Sequence, residues 1–493
     1  MFGHNSTGFG WGKKGVAQNL GQTIALNHYN RVTAAGGVLP CGVAALAAII
    51  NAICTALGLT TEAQFQAAVP QGLDPHYSGY LAGAGSGTTL GQACQKIFNW
   101  AGASGDVSQG TAGSMPLLLA YDGVNKYYWN GGVIGNYCST PNAASNQITG
   151  DIEIVSKIDY KNNATLQAIV DKSNGTAFNY SLYIDGSNVP KFIYSVLGVV
   201  QTAICSSNIG ASFNGYIKAT RTFVNGVFKF FTSSDGITYT QLGTDISGTI
   251  GLLDSNSHPL SVGLSQPASF PFQGKIYRAT ISNSIGGSPV VDFNPNTYNA
   301  ATSQTSWVSA TSETWTINIG TATTGYKACI VSKTIVQGDG VDDRLSVTGL
   351  TTIPLVSVYQ AKKYYPSSIG SKVGFLISTL ASGSGEFGTA ATTTRYYSDN
   401  SYFIPQFIPT ALLQMHYAKY KNNAQDFKIN NGTSPTITNQ AFSGMNCVYL
   451  FSDNTTVYMN LNINTFIVLS IDVNGTQNTA MYDIVRSMNE NAF

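Results

Sequence analysis

The stretch FVNGVFKFFTSSDGITYTQLG, from Phe223 to Gly243, holds three short aromatic or β-branched runs separated by Asn225-Gly226 and Asp235-Gly236. Asn-Gly and Asp-Gly are tight-turn dipeptides, because Gly takes a positive φ without strain and the Asx side chain bonds the backbone ahead of it. Two such turns within so short a span predict three adjacent antiparallel strands. Outward from this meander the texture repeats in DIEIVSKIDY (151–160), SFNGYIKATRTF (212–223), FQGKIYRATIS (272–282) and TWTINIG (314–320), and it continues from 328 to 472. Short strands at this spacing, punctuated by turn clusters, predict an antiparallel sandwich or barrel.

Composition agrees. Only 10% of the 493 residues are charged and the formal net charge is +1, against the usual ~25% charged. The chain keeps its surface polar with Ser, Thr, Asn, Gln and Gly, and its 52 Gly, 27 Tyr and 23 Phe suit sheets joined by turns. There is no basic stripe of the kind nucleic-acid binding requires. The seven cysteines are widely spaced and form no C-x-x-C pair, which argues against zinc and predicts small buried thiols formed in a reducing cytoplasm. No secretory leader is visible at the N-terminus.

The N-terminal region reads differently. Val43, Leu46, Ile50, Ile53 and Leu57 fall at helical spacing. Thr60 or Thr61 is a candidate cap for a second helix through Phe65 and Val69, ended by Pro70, with Glu62 in its first turn. Thr89 is a candidate cap for a third, carrying Leu90, Cys94, Ile97 and Phe98 and closing near Gly102. The uncharged run VLPCGVAALAAIINAICTALGL (38–59) is long enough to span a bilayer. Its Pro40, its central Asn51 and its Ala content point instead to a helix packed on protein. At the far end, Met481, Ile484, Val485 and Met488 share one face of a short C-terminal helix.

The β region reads as two copies of one unit. Asn130-Gly131-Gly132-Val133, running on to Tyr137–Thr140, aligns with Gly338-Asp339-Gly340-Val341, running on to Leu345–Thr348. A Phe-x-Gly pattern near the end of each block aligns PFQGKIYRAT (271–280) with AFSGMNCVYL (441–450). The expected organisation is therefore a flexible Gly-rich arm (1–27), a helical docking region (28–105), sandwich 1 (106–325), sandwich 2 (326–476) and a C-terminal helix (477–493).

The segment VVDFNPNTYNAATSQTSWVSATSETWTINIG (290–320) resembles one that recurs in tailed-bacteriophage virion proteins, through Asp292-Phe293-Asn294-Pro295, Trp307 and Glu313-Thr314-Trp315-Thr316. FQGKIYRATIS is similar to the closing strand of a concanavalin-like (laminin-G or lectin type) jelly roll, and TSSDGITYTQLG to a hairpin of that fold. NHYNRVTAAGGVL (27–39) and the terminal MYDIVRSMNENAF resemble the ends of such phage proteins. The resemblance implies a mainly β chain with two tandem concanavalin-like jelly-roll sandwiches. It also implies a virion structural protein of fibre, baseplate or decoration type, made in the host cytoplasm. Its partners would be other virion proteins and host surface glycans. Low charge and abundant aromatics lead us to expect a homo-oligomer such as a trimer, with no nucleic-acid partner and no membrane span.

Chemistry candidates are few. Ser233–Tyr239 resembles the Asp box of sialidases, but as a single copy with Tyr239 in place of Trp; turn formation accounts for its residues. Asp151 and Glu153 face one way on a strand, as the carboxylates of glycoside hydrolases must. The third acid of the concanavalin-like glucanase pattern is missing, because Val155 and Lys157 follow. No catalytic set is expected, and the rival readings are a receptor-recognition lectin and a glycan depolymerase. Asp339, Asp342 and Asp343 in QGDGVDDR are candidate calcium ligands, with Arg344 beside them. Tyr127, Tyr128, Tyr364 and Tyr365 are candidate sugar-stacking aromatics, with Tyr396 and Tyr397 of the same kind. No other cofactor is expected.

Overall fold

The computed structural model describes residues 14–83, 92–102, 104–266, 269–320, 325–339, 343, 345–347, 350 and 461–490, together with the strands between 355 and 450. The chain opens with helices α1 (Lys14–Ala34), α2 (Gly42–Leu57) and α3 (Glu62–Ala68). The expected arm therefore ends sooner than its glycines suggested. Gly21 lies inside α1 because a Cβ there would collide with Asn51 and the Ala47 carbonyl of α2. The Gly21 N–H donates to Asn51 Oδ1 at 3.0 Å, which also accounts for an Asn in the middle of an apolar helix. Thr61 caps α3, its hydroxyl accepting from the Gln64 N–H while the Gln64 side chain returns to the Thr61 N–H. Among the described residues no single helix is long and apolar enough to cross a membrane. The inner face of α2 (Leu46, Ile50, Ile53, Leu57) is buried instead against the C-terminal helix and Tyr359, Ile467 and Leu469 of a sheet.

Five short strands follow: β1 (Gln71–Leu73), β2 (Tyr80–Gly83), β3 (Gln92–Ile97), β4 (Val107–Ser108) and β5 (Leu117–Leu119). β3 occupies the segment expected as a third helix.

Sandwich 1 runs without interruption. Its strands begin with β6 (Tyr127–Trp129), β7 (Tyr137–Thr140), β8 (Ile152–Lys161), β9 (Gln167–Ser173), β10 (Phe178–Ile184) and β11 (Pro190–Val196). They continue with β12 (Val199–Ile204), β13 (Ser212–Thr222), β14 (Val227–Ser233), β15 (Thr240–Ser247), β16 (Leu260–Val262) and β17 (Gly274–Ser282). The last four are β18 (Val291–Phe293), β19 (Ser306–Val308), β20 (Thr314–Asn318) and β21 (Cys329–Val331). One layer has the order β15-β14-β13-β8-β17-β6-β21, the other β12-β11-β10-β9-β16-β7-β20-β19. The meander with the Asn225-Gly226 and Asp235-Gly236 turns is β13-β14-β15, with Gly226 and Gly236 at φ +65° and +75°. Alternate residues of β8 (Ile152, Ile154, Ile158, Tyr160) point into the core beside Phe228, Phe230, Trp307 and Trp315.

Sandwich 2 consists of β22 (Ile335–Gln337), β23 (Leu345–Val347), β24 (Leu355–Tyr364), β25 (Lys372–Ser378), β26 (Glu386–Ala390) and β27 (Thr393–Ser398). It continues with β28 (Ser401–Phe407), β29 (Leu413–Lys421), β30 (Ala424–Ile429), β31 (Thr436–Thr438), β32 (Cys447–Leu450) and β33 (Leu461–Leu469). Helix α4 (Gly475–Met488) closes the chain, with Met481, Ile484, Val485 and Met488 buried as the sequence predicts.

Strand pairing bears out the duplication and corrects its details. β8 lies between β13 and β17 as β24 lies between β29 and β33. The hairpin series β9 to β12 corresponds to β25 to β28. β16 joins β7 to β9 as β32 joins β23 to β25. The alignment of 130–140 with 338–348 falls on these equivalences. The Phe-x-Gly alignment does not, because it sets β17 against β32, whose counterpart is β16; residues 442–444 themselves lie outside the described residues.

The larger correction concerns the domain boundary at 105. Sandwich 1 completes itself with β18, on β17; β20, on β7; and β21, on β6. Sandwich 2 takes the same three places from the N-terminal segment: β1 on β33, β4 on β23 and β5 on β22. The β19–β20 hairpin likewise answers to β3–β4. Sandwich 2 is therefore discontinuous, with sandwich 1 inserted between its two parts. A shared local turn supports the equivalence. Asn294-Pro295 after β18 and Asp74-Pro75 after β1 each place an Asx oxygen on the N–H two residues ahead.

Candidate functional site

The outer face of the β15-β14-β13-β8-β17 layer carries the clearest cluster of exposed chemistry. Strand alternation that sends the isoleucines of β8 inward sends Glu153, Val155, Lys157 and Asp159 outward. Their cross-strand neighbours are set by register: Lys157 lies opposite Tyr216, Val155 opposite Lys218, and Lys218 opposite Phe231.

Two cation–aromatic groups result. The Lys157 ammonium stands 5.7 Å from the centre of the Tyr216 ring and 5.1 Å from that of Tyr277. The Lys218 ammonium lies 4.8 Å from the Phe231 ring and 4.1 Å from the Tyr239 ring. Such contacts hold about 0.5–1 kcal/mol each at exposed sites and fix the rings in orientation. The four rings are half-buried. Burial, with Asp159 and Asp122 nearby, pushes the Tyr277 hydroxyl up to about 12. It is therefore a neutral donor and acceptor at ordinary pH.

Charges on this face are mostly matched: Lys218 with Glu153 at 3.8 Å, Lys275 with Asp159 at 3.5 Å, Lys229 with Asp245 at 3.1 Å, and Arg278 with Asp292 at 2.8 Å. Lys157 makes no ion pair among the described residues; its polar head is held over two tyrosine rings. The face thus presents oriented rings with the Lys157 ammonium between two of them.

The Asp-box-like turn supports this face from one edge. Asp235 Oδ1 accepts from the Ile237 and Thr238 N–H groups at 2.8 and 2.9 Å, which holds its carboxyl below the usual range. Gly236 is needed there because a Cβ would strike the Tyr216 ring at 2.6 Å. Asp151 and Glu153 are likewise tied to structure. Asp151 Oδ1 accepts from the Phe223 N–H at 2.7 Å, and Glu153 pairs with Lys218.

Other sequence candidates fare differently. Tyr127 and Tyr128, expected as exposed stacking residues, are 1% and 0% exposed. Tyr128 points into the sandwich 1 core, whereas Tyr127 joins Leu117, Leu119, Trp129, Val331 and Ile335 in a cluster between the sandwiches. The three successive aromatics of β6 are buried on both sides, by the sandwich 1 core on one and by the cluster between the sandwiches on the other, a case that alternation does not expose. Tyr364 ends β24, paired with Leu461; its side chain and Tyr365 lie outside the described residues. Asp343 is 2% exposed, and its Oδ2 accepts from the Asp339 N–H at 2.8 Å, closing the loop. Asp342 lies outside the described residues. Among the described residues no three His, Cys, Asp or Glu converge as metal ligands. Cys54, Cys94, Cys138, Cys205 and Cys329 are buried, as expected.

No protein-family model matches the chain, and no curated protein matches it. Among solved structures it is similar to the mouse laminin alpha1 chain, domains LG4-5, at 12% identity over 71% of this chain and 92% of that one, with a TM-score of 0.27. It is similar to the Ruminococcus gnavus IT-sialidase CBM40 bound to alpha2,3 sialyllactose, at 15% identity over 30% and 87%, with a TM-score of 0.25. A third is the native heptameric SAP-like pentraxin from Limulus polyphemus, at 11% identity over 34% and 79%, with a TM-score of 0.26.

Sequence reading missed the Tyr216, Tyr277, Phe231 and Tyr239 cluster. The usable signal was present: Lys157, Lys218, Tyr216, Phe231 and Tyr277 all occupy polar-phase positions of strands whose other phase is apolar.

Proposed function

We propose that this chain is a non-enzymatic structural and attachment protein that binds glycans on the outer face of sandwich 1. The observation that carries the reading is the Tyr277–Lys157–Tyr216 group beside Phe231–Lys218–Tyr239. Sugar rings offer C–H faces to aromatic side chains and hydroxyl or carboxylate oxygens to ammonium groups, so fixed rings with a lysine ammonium between two of them suit them. The setting we favour is a tailed-phage particle, in which the chain serves as a fibre, baseplate or decoration component and assembles as a homo-oligomer with other virion proteins. The 290–320 segment supports that setting. Asp151 and Glu153 keep structural partners, which favours binding over hydrolysis.

A glycan array probed with the full chain and with the double variant Tyr216→Ala, Tyr277→Ala tests the binding face. We expect retained signal for the natural chain and at least a tenfold loss for the variant, with unchanged circular dichroism. A folded natural chain that is silent on the array would remove the glycan reading. Mass spectrometry of purified particles, with immunolabelling to place the chain, tests the virion setting separately. Asp151→Ala, Glu153→Ala should leave any glycan breakdown by the particle unchanged.

A further inference from the structure

Where β1, β33, the link between the sandwiches and the end of α4 converge, four polar side chains form a closed ring inside the protein. Lys333 Nζ donates to Asp74 Oδ2 at 3.0 Å and to Asn489 Oδ1 at 3.3 Å. Thr465 Oγ1 donates to the same Asp74 oxygen at 2.6 Å, and Asn489 Nδ2 donates to Thr465 Oγ1 at 2.9 Å. All four are at most 5% exposed. The orientation of the Asn489 amide is fixed by its Nδ2, which also donates to the Val485 carbonyl at 2.8 Å. Its carbonyl therefore faces the lysine. The other Asp74 oxygen accepts from the His76 and Tyr77 N–H groups, so the carboxyl cannot rotate away. The Tyr77 ring lies 5.6 Å from the ammonium.

From this arrangement we propose that Lys333 and Asn489 form an intramolecular isopeptide bond, with Asp74 as the catalytic acid–base and Thr465 as the proton relay. The components are those that amide exchange needs: an amine, a carboxamide within reach, and a carboxyl touching the nucleophile in a dry site. Asp74 takes a proton from the Lys333 ammonium, and the freed Nζ lone pair attacks Asn489 Cγ. A proton from the attacking nitrogen passes to Nδ2, the Cγ–Nδ2 bond breaks, and ammonia leaves. The proton held by Asp74 passes through the Thr465 hydroxyl to that ammonia, which departs as ammonium and returns Asp74 to its carboxylate. No oxidant or reductant enters.

Comparison within the molecule sharpens the assignment. The equivalent turn of sandwich 1 carries Asn294, which satisfies the same backbone role with an amide. The acid stands only at the copy that faces Lys333. The bond would close a covalent ring from 333 to 489 that contains every strand from β22 to β33.

Intact-mass measurement of the denatured full-length chain tests this directly. We expect a mass below the sequence mass by one ammonia, and a digest containing a branched peptide that joins the Lys333 and Asn489 segments. Lys333→Arg, which keeps the charge but lacks the amine, should show its full sequence mass. Full mass for the natural chain, with Lys333 and Asn489 recovered in separate linear peptides, would overturn the proposal. A folded Asp74→Asn chain that still lacks one ammonia would overturn the role given to Asp74.

Discussion

The two sandwiches have one pairing scheme and two modes of construction. Sandwich 1 finishes itself with β18 to β21, drawn from the chain directly after its own core strands. Sandwich 2 takes the corresponding strands from residues 71–119 and is further covered by helices from both ends of the chain. The difference teaches that a repeat is defined by its pairing and not by its contiguity. A unit of this kind tolerates having its closing strands supplied from the wrong end, provided that β33, β23 and β22 find them.

The strongest way to break the comparison is to separate the pieces. Residues 120–334 expressed alone should fold, since they contain all of sandwich 1. A chain lacking residues 14–119 should lose cooperative unfolding in sandwich 2, because the edges of β22, β23 and β33 would be stripped. Hydrogen exchange resolved by region checks both outcomes, with protection retained in β8 and β13 and lost in β24 and β33.

Acid provides a second lever. His28 and His76 both belong to the sandwich 2 side. Burial lowers each to about 4, with the cations Arg31 and Lys333, respectively, acting in the same direction. The unfolded chain binds protons on these groups near pH ~6.5, well before the folded chain does. Their stabilising effect is therefore complete above ~6.5, falls as the pH drops towards about 4, and is absent below that, a loss of roughly a few kcal/mol. Over this range exchange protection in sandwich 2 should fall before that of β8 and β13.

The smallest expected effect lies in sandwich 1. Lys172 is fully buried, with Asn142 Oδ1 and the His258 carbonyl as neutral partners, and burial lowers its ammonium to about 8. Lys172→Met should stabilise sandwich 1 by about 1 kcal/mol at neutral pH, since a buried cation without a counter-charge is replaced by an apolar chain of similar length. Thermal unfolding of the isolated sandwich checks this.

Much of the fold was legible because its signals are local. The Asn225-Gly226 and Asp235-Gly236 turns, the Thr61 cap and the apolar faces of α2 and α4 are each decided within a few residues. β3 was misread as helix because Cys94, Ile97 and Phe98 fit helical spacing, while its strand character comes from β2, β4 and β5, each four residues or fewer. The boundary at 105 was misplaced for the same reason: strands this short carry almost no periodic signal, and their decisive partners lie hundreds of residues away. Tyr127 is buried because a second sandwich packs on the outer face, which alternation cannot foresee, and Tyr128, on the opposite phase, lies in the sandwich 1 core. The site cluster was hidden among residues that, singly, read as ordinary outward positions.

The split of sandwich 2 also sets a timetable for the newborn chain. β1 to β5 leave the ribosome before sandwich 1, yet β22, the first strand of sandwich 2 to follow them, comes only about 200 residues later. At ~5–20 residues per second that is a wait of some tens of seconds. Sandwich 1 can fold completely within that interval, while β1, β4 and β5 still lack their sandwich 2 neighbours β33, β23 and β22. Strands of two to six residues are poor templates for aggregation while they wait.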